Sequence, residues 1–402
     1  MPFERFIARR FMPRKGGGFA GPLAAIATVG IALGVLVMVM AVSILRGFQK
    51  DITDKVVGFG SHIAVRSYVA NPDYAGEAPM AVDSSLIEQL MAVDGVRHLQ
   101  CFATKGGMVK TDDQIYGIVY RGLDERCDTT FYASCLVAGT LPHTANEVLV
   151  SNTIASRLHL GVGDKMRTYF WQGESYRARA FSVSGIYSTD LAEVDDIYVI
   201  GNLGQVQRLN DWGDSLVGGY ELLVDDFGAL DDVAAQVLLQ LPYDLTMQTI
   251  TRVHPALFSW LDLLNSNIAL ILGIMCLVSV VAIVSALLIM IFEKGATIGL
   301  LKALGATGRS VRRIFMLKAA QLVLAGIAIG DVVALVLSAI QVRWQVITLD
   351  PESYSMAHVP VLIDGWTYVA ISVGVLLVCM AALLLPATYI SKISPARTLR
   401  TT

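Results

Sequence analysis

The chain has 402 residues, of which 54% are hydrophobic and only 16% are charged. A soluble protein carries roughly 25% charged residues, so these few charges cannot cover the water-facing surface of a chain of this length. The composition therefore argues against a soluble protein and predicts a membrane protein. The formal net charge of -3 is small and indicates no nucleic-acid partner.

The first 45 residues predict a basic amphipathic segment followed by a membrane helix. In residues 1–21, Phe3, Ile7 and Phe11 recur at helical spacing among arginines, which predicts a helix lying on the cytoplasmic membrane surface. Residues 22–45 carry no charge and are long enough to cross a bilayer, which needs about 20 apolar residues. A cleaved signal peptide has an apolar core of only about 7–15 residues, so we expect a retained transmembrane helix.

Residues 46–267 are too polar to cross a membrane and too numerous for a linker, so they predict an independent domain. Alternating apolar runs bounded by Gly and Asp indicate strands, and apolar residues at helical spacing indicate helices. The predicted strands include Val148–Val150, Arg177–Ile186 and Ile197–Ile200, and the predicted helices are Ser84–Val93, Thr153–Leu158 and Leu230–Leu241.

This domain shows no catalytic or metal-binding pattern in its sequence. Its histidines are scattered, and HExxH, GxSxG and DxDxDG spacings are absent. We therefore expect it to bind or guide a partner, with no catalytic residue and no metal site. Cys127 and Cys135 could form a disulfide in an oxidising compartment, but spacing alone does not decide this.

Residues 268–292 predict the second membrane helix, and residues 293–318 form a basic loop after it. The loop predicts a short amphipathic helix that is ended by Gly305. Its apolar side is expected to consist of Ile298, Leu301 and Leu304. Such a helix can rest on anionic lipid or occupy a groove of a cytoplasmic partner, and periodicity does not distinguish the two.

Residues 319–340 and 366–390 predict the third and fourth membrane helices, separated by a loop at 341–365 and followed by a tail at 391–402. Asp331 lies within the third helix. The apolar residues of this span offset the cost of inserting one carboxylate. An ionisable residue at this depth raises a functional hypothesis, but we favour a polar tether to a backbone or hydroxyl group of another helix.

The distribution of Lys and Arg predicts the orientation. Five precede the first span, six lie between spans two and three, and three follow the fourth, whereas residues 46–267 hold 16 Lys and Arg against 28 Asp and Glu. Positive residues favour the cytoplasmic side, so both termini and the 293–318 loop are predicted inside. The predicted fold is an α-helical membrane protein with four transmembrane helices and a large α+β periplasmic domain inserted between helices 1 and 2.

Two GxxxG pairs occur in the first and third spans. Small residues four positions apart allow helix backbones to approach closely, so both pairs predict helix–helix packing within the subunit or between subunits. The residues are Gly30, Gly34, Gly326 and Gly330.

Four segments carry a resemblance to known permeases. The stretch FEKGATIGLLKALGATGRSVRRIFMLK at 292–318 resembles the coupling segment of the superfamily that includes the macrolide-exporter, FtsX and lipoprotein-releasing types. The run Ile26–Ile63, with Gly-Phe-Gln-Lys after the first helix, resembles the lipoprotein-releasing LolC/LolE type. Leu349–Val361 and Ile393–Arg400 are similar to that family as well.

The resemblance implies a bacterial inner-membrane ABC transporter with two permease subunits, identical or related, and two cytoplasmic ATPases. Acylated lipoproteins would pass from the membrane to a periplasmic carrier, and ATP and Mg would be bound by the partner ATPase, with no cofactor on this chain. The residues expected to face the ATPase are Glu293, Ile298, Gly299, Leu301, Lys302, Leu304 and Gly305. The residues expected where the lipoprotein reaches the first helix are Val35, Val39, Val42, Arg46, Gly47 and Phe48.

The chain contains no G-x-x-x-x-G-K-[ST] sequence, the loop that cradles nucleotide phosphates. We therefore expect no ATPase activity of its own, unlike the macrolide-exporter type with its fused ATPase. An efflux permease and an FtsX-like signalling permease that regulates cell-wall hydrolases are the alternatives. The LolC-like or LolE-like role and the identity of the second permease stay open.

Overall fold

The structure is a computed structural model that describes residues 20–68, 78–111, 114–172, 175–349 and 356–391. The chain divides into two compact units. The helical unit comprises Met1–Gln49, Trp260–Thr348 and His358–Thr402, and the α+β unit comprises Lys50–Ser259 and Leu349–Ala357. The amphipathic helix predicted in residues 1–21 and the tail 391–402 lie almost entirely outside the described residues.

The secondary structure alternates long helices with a region rich in strands. The α-helices in chain order are α1 (Ala20–Gly60), α2 (Ser84–Met91), α3 (Thr130–Ser134), α4 (Asn152–Leu158), α5 (Ala192–Asp195), α6 (Leu203–Leu209), α7 (Leu230–Gln240), α8 (Ile250–Val253), α9 (Pro255–Glu293), α10 (Gly295–Ala303), α11 (Gly308–Trp344) and α12 (Gly365–Ser391). The strands are β1 (Ile63–Ser67), β2 (Met80–Ala81), β3 (Val96–Lys110), β4 (Ile115–Leu123), β5 (Leu136–Gly139), β6 (Glu147–Ser151), β7 (Lys165–Gln172), β8 (Ser175–Tyr187), β9 (Tyr198–Asn202), β10 (Leu216–Val217), β11 (Gly219–Val224) and β12 (Leu245–Thr249).

Four of the described helices, α1, α9, α11 and α12, are long and apolar enough to cross a membrane. Each contains one of the four predicted spans. The helices run further than the spans because a charged residue ends an apolar run without ending the helical backbone. In α1 the helix continues past Leu45 to Gly60, and Ile52, Val56 and Phe59 are buried in the α+β unit.

The α+β unit is built on one mixed sheet. Its strand order is β12-β1-β11-β3-β4-β9-β6-β8-β5, with β7 paired to both β3 and β8. The β4–β9 and β6–β8 pairs are parallel, and the other pairs of this sheet are antiparallel. Tyr120, Phe170 and Phe181 form an aromatic core in this sheet, with ring centroids 5.2–6.2 Å apart.

The elements predicted in this unit are present with shifted ends. The strand expected at Arg177–Ile186 is β8, and the helix expected at Leu230–Leu241 is α7, which ends at Gln240. Of the apolar residues at helical spacing in α7, Leu230, Val233, Ala234 and Val237 are buried, whereas Leu238 is 56% exposed.

Both GxxxG pairs lie at close helix contacts inside this one chain. A Cβ atom added at Gly34 would lie 2.5 Å from Ser279 Oγ of α9, and one at Gly330 would lie 2.7 Å from the carbonyl oxygen of Ala32 of α1. Gly30 and Gly326 face the same two partners, α9 and α1 respectively. Thus α1 contacts α9 through its own glycine pair and receives the glycine pair of α11.

The carboxylate within the third apolar helix has a partner on the fourth. The Ser372 hydroxyl of α12 donates a hydrogen bond to Asp331 Oδ2 at 2.7 Å. This hydrogen bond is the predicted tether to a hydroxyl group of another helix. A hydrogen bond to a neighbouring helix gives Oδ2 a partner where water is absent, while Oδ1 is buried without a hydrogen bond in the described part of the chain.

Candidate functional site

The segment between α9 and α11 is the first candidate site. Lys294 alone separates α9 from α10, and its Nζ atom lies 3.7 Å from the Glu293 carboxylate at the end of α9. Gly305 has φ +94°, a left-handed conformation that glycine adopts readily. The amides of Gly305 and Ala306 donate to the carbonyls of Lys302 and Leu301. These two bonds are those of a Schellman motif, which ends the helix and turns the chain toward α11.

The outward face of α10 differs from the predicted one. Ile298 is fully buried and Gly299 is buried, while Leu301 and Lys302 are half-buried. Leu300 is 54% exposed and Leu304 is 78% exposed. Of the predicted apolar face, Leu304 is exposed, Leu301 is half-buried and Ile298 is buried, and Leu300, one turn before Leu304, completes the exposed pair.

The burial of Ile298 has a structural cause. It belongs to the same buried cluster as Val311 and Phe315 at the beginning of α11, and this cluster continues through the core of the helical unit. Because one apolar face of α10 packs against α11, only the opposite face is open to a partner. The exposed Arg309, Arg312 and Arg313 follow at the start of α11, so the outward surface is apolar with basic surroundings.

The second candidate site lies on α1, and its predicted residues range from fully buried to exposed. Val35 and Val39 are fully buried in the core of the helical unit, so they do not line an accessible surface in this structure. The expectation that they meet acyl chains stays a prediction, and it would require these helices to separate. Val42 is half-buried. This stretch is helical as predicted, but the other helices cover this side of α1.

The remaining predicted residues of α1 contact other parts of the chain. Arg46 is exposed and forms an ion pair with Asp364. Gly47 is buried against the backbone of Pro360, and the ring of Phe48 meets the ring of Trp260 edge to face. Asp364, like Leu300, was missed by sequence reasoning, since nothing local to residue 364 indicates a partner in the first helix.

A cavity of about 310 Å³ lies in the α+β unit, with a buried ion pair among its lining residues. Arg121 Nη2 lies 2.7 Å from both carboxylate oxygens of Glu221, and Gln100 donates to the same carboxylate at 2.9 Å. The guanidinium also lies over the rings of Phe59 and Phe102. Burial raises the pKa of Glu221, and Arg121 opposes this rise. In the sequence, this ion pair was indicated only by Arg121, the one charged residue in the apolar run of β4.

The described ranges contain neither a cluster of metal-binding side chains nor a disulfide. No group of three His, Cys, Asp or Glu residues that could hold a metal ion occurs there. Cys127 and Cys135 are free, and burial raises the pKa of the Cys127 thiol to about 12. That thiol therefore stays protonated and poorly nucleophilic at neutral pH.

Comparisons with known proteins agree with the sequence resemblance. The chain is 24% identical to the lipoprotein-releasing system transmembrane protein LolC of Xylella fastidiosa (strain 9a5c), over 99% of both chains. It is 22% identical to LolE of Haemophilus influenzae, over 94% of both chains. The periplasmic region of MacB from Actinobacillus actinomycetemcomitans aligns with a TM-score of 0.34 and 12% identity, covering 51% of this chain and 97% of that one.

Two family models match different parts of the chain. The MacB-like periplasmic core domain matches residues 24–238, which is more than half of the chain, and the FtsX-like permease C-terminal region matches residues 269–395. The chain therefore belongs to the LolC/LolE-type FtsX/MacB-like permease family.

Proposed function

We propose that this chain is the permease subunit of an ABC transporter that extracts acylated lipoproteins from the bacterial inner membrane for transfer to a periplasmic carrier. The observation that carries the proposal is the similarity to LolC over 99% of both chains, which includes the helices and the α+β unit together. Four helices long and apolar enough to cross a membrane support a multi-pass inner-membrane location.

The orientation in this proposal follows the charges. Both termini and the basic loop at 293–318 face the cytoplasm, and the acidic α+β unit, inserted between the first two spans, faces the periplasm. The predicted limits of the spans and loops are retained as approximate membrane boundaries. A second permease, identical or related, completes the transporter within the membrane lipid.

A separate ATPase drives transport, with ATP and Mg bound by that partner. The exposed Leu300 of α10 and the exposed Leu304 at its C-cap enter a groove of the ATPase, and the basic side chains at the start of α11 surround the contact. Since one residue joins α10 to α9 and Ile298 anchors α10 to the buried core, movement of α10 is transmitted to α9. The transporter would thereby change the cavity that holds the acyl chains.

Depletion of the chain followed by membrane fractionation tests the proposal. Acylated outer-membrane lipoproteins are expected to accumulate in the inner membrane. Correct placement of these lipoproteins would contradict the proposal. Drug hypersensitivity without mislocalisation would instead identify an efflux permease, and chaining cells would identify a signalling permease.

The ATPase contact has its own test, the double variant Leu300→Asp with Leu304→Asp. Burying one leucine stabilises a contact by about 1.5–3 kcal/mol, so ATPase binding by the solubilised full chain should weaken at least about tenfold. Leu239→Asp is the matched control, because Leu239 is 84% exposed on a helix of the α+β unit. Unchanged copurification of the ATPase with the double variant would exclude this face as the contact.

A further inference from the structure

Four consecutive residues of α1, Arg46 to Gln49, contact the chain on two sides of the helix. The first contact is ionic. Arg46 Nη1 lies 2.8 Å from Asp364 Oδ2, and the same guanidinium donates a hydrogen bond to the Thr367 hydroxyl. Arg46 therefore joins α1 to the beginning of α12.

Asp364 is fixed in place by α12 itself. Its carboxylate accepts hydrogen bonds from the amides of Trp366 and Thr367 at 3.1 and 3.2 Å and from the Thr367 hydroxyl at 2.7 Å. This is the arrangement of a helix N-cap. Because the carboxylate of Asp364 is already held by these hydrogen bonds, it loses little further conformational freedom when it pairs with Arg46.

Gly47 allows the loop before α12 to lie directly on α1. The amide of Leu362 donates to the carbonyl oxygen of Ser43 at 3.0 Å. A Cβ atom at position 47 would lie 2.5 Å from the carbonyl oxygen of Pro360 and 2.7 Å from its carbon. Both are backbone atoms, so a larger residue would have to move the loop and would break this contact.

The next two residues face α9 through weaker contacts. The rings of Phe48 and Trp260 meet edge to face with centroids 6.5 Å apart, and Gln49 Nε2 donates to Asn265 Oδ1 at 3.0 Å. Successive residues of an α-helix are rotated by about 100°, so Arg46 and Phe48 lie on roughly opposite sides of α1. At the level of residues 46–49, α1 is therefore held to α12 and the loop before it by an ion pair and backbone contacts. It is held to α9 there by one hydrogen bond between side-chain amides and one edge-to-face ring contact.

We propose that Arg46 and Gly47 are positioning residues of the transport cycle, which fix this end of α1 to the beginning of α12 while α9 moves past it. This role rests on the proposed function. Motion of α10 transmitted through α9 would then change the spacing between α1 and α9, instead of displacing both helices as one body. The Arg46–Gln49 segment thus acts within the permease and not as a contact for the lipoprotein.

The test measures lipoprotein released per ATP hydrolysed, using the full chain with its copurified ATPase in lipid vesicles and a purified acylated outer-membrane lipoprotein. Arg46→Met and Asp364→Asn should each lower this ratio about two- to fivefold, the range for an exposed ion pair. Asn retains the helix cap and removes the charge. The double variant should be no worse than the poorer single variant, and Arg46→Lys should recover at least half of the lost yield.

Gly47→Ala should lower the ratio further, about tenfold, because the added methyl group meets backbone atoms. Matched controls are Arg343→Met, at the end of α11, and Gly273→Ala on α9, where an added Cβ meets nothing within 4 Å. An unchanged ratio in the Arg46 and Asp364 variants, or additive losses in the double variant, would overturn the positioning role alone. A wild-type complex that hydrolyses ATP and releases no lipoprotein would overturn the proposed function, and this role with it.

Discussion

The two units of this protein bury different sets of polar groups. In the α+β unit, the buried polar residues include ionised side chains that face charged or polar partners, as Arg121 faces Glu221. In the helical unit, the buried polar side chains of the described residues are hydroxyl and amide groups: Ser43, Ser279, Ser338, Gln341 and Thr367. Close packing there depends on glycines, which let backbones approach without any polar contact.

The helical unit also exposes large apolar side chains on its surface. In α9, Leu270, Leu277 and Val281 are more than half exposed. These side chains suit contact with lipid, where association of helices depends on packing because no hydrophobic effect drives it. Tertiary contacts in the α+β unit therefore include a buried ion pair, whereas close contacts in the helical unit depend on small residues.

The largest expected effect tests the ion pair. Arg121→Met leaves the Glu221 carboxylate buried without its cation, and removal of one partner from a buried pair costs about 3–5 kcal/mol. Hydrogen exchange of β3, β4 and β11 in the full chain measures the local loss of stability. Arg121→Met combined with Glu221→Gln should be less destabilised than Arg121→Met alone. Unchanged hydrogen exchange in Arg121→Met would contradict a stabilising role for this ion pair.

The next effect is a pH dependence of the α+β unit. Burial, with a contribution from Arg97, lowers the pKa of His62 to about 4, and its Nδ1 atom accepts a hydrogen bond from the Val224 amide. The unfolded chain takes up this proton near pH 6.5, before the folded chain does, so stability is lost as the pH falls from about 6.5 to 4. The loss should reach about 3 kcal/mol.

His62→Asn removes this titration and retains an acceptor near the same position. The difference in unfolding free energy between wild type and variant should therefore shrink or reverse as the pH falls, measured by denaturant unfolding of the full chain at several pH values. His143→Asn is the control, since His143 is exposed. A difference that does not vary between pH 7 and pH 4 would refute the lowered pKa of His62.

The smallest effect tests packing in the helical unit. Gly330→Ala places a methyl group 2.7 Å from the Ala32 carbonyl oxygen, and such overpacking costs about 1–3 kcal/mol. Thermal unfolding of the detergent-solubilised chain should show a lower midpoint. Gly374→Ala on α12 meets nothing within 4 Å and should be close to neutral. Equal midpoints for the two variants would show that close backbone approach does not stabilise this unit.

Part of the candidate site was predictable from the chain itself. Gly305 was expected to end the short helix after α9, and its left-handed conformation does so. The face of that helix was not predictable in the same way. Ile298, Leu301 and Leu304 share a helical stripe, but periodicity does not say whether a stripe meets α11 or a partner, and Ile298 meets the core.

Sequence by itself determined the four long apolar helices and the α+β class of the region between α1 and α9. These depend on local properties, because a run of apolar residues long enough for a bilayer and alternation along a strand are both written in neighbouring residues. The tertiary structure alone decided that Arg46 meets Asp364, 318 residues away, and that Arg121 meets Glu221, 100 residues away. Such pairs depend on where the folded chain brings distant segments together, and no local period encodes that.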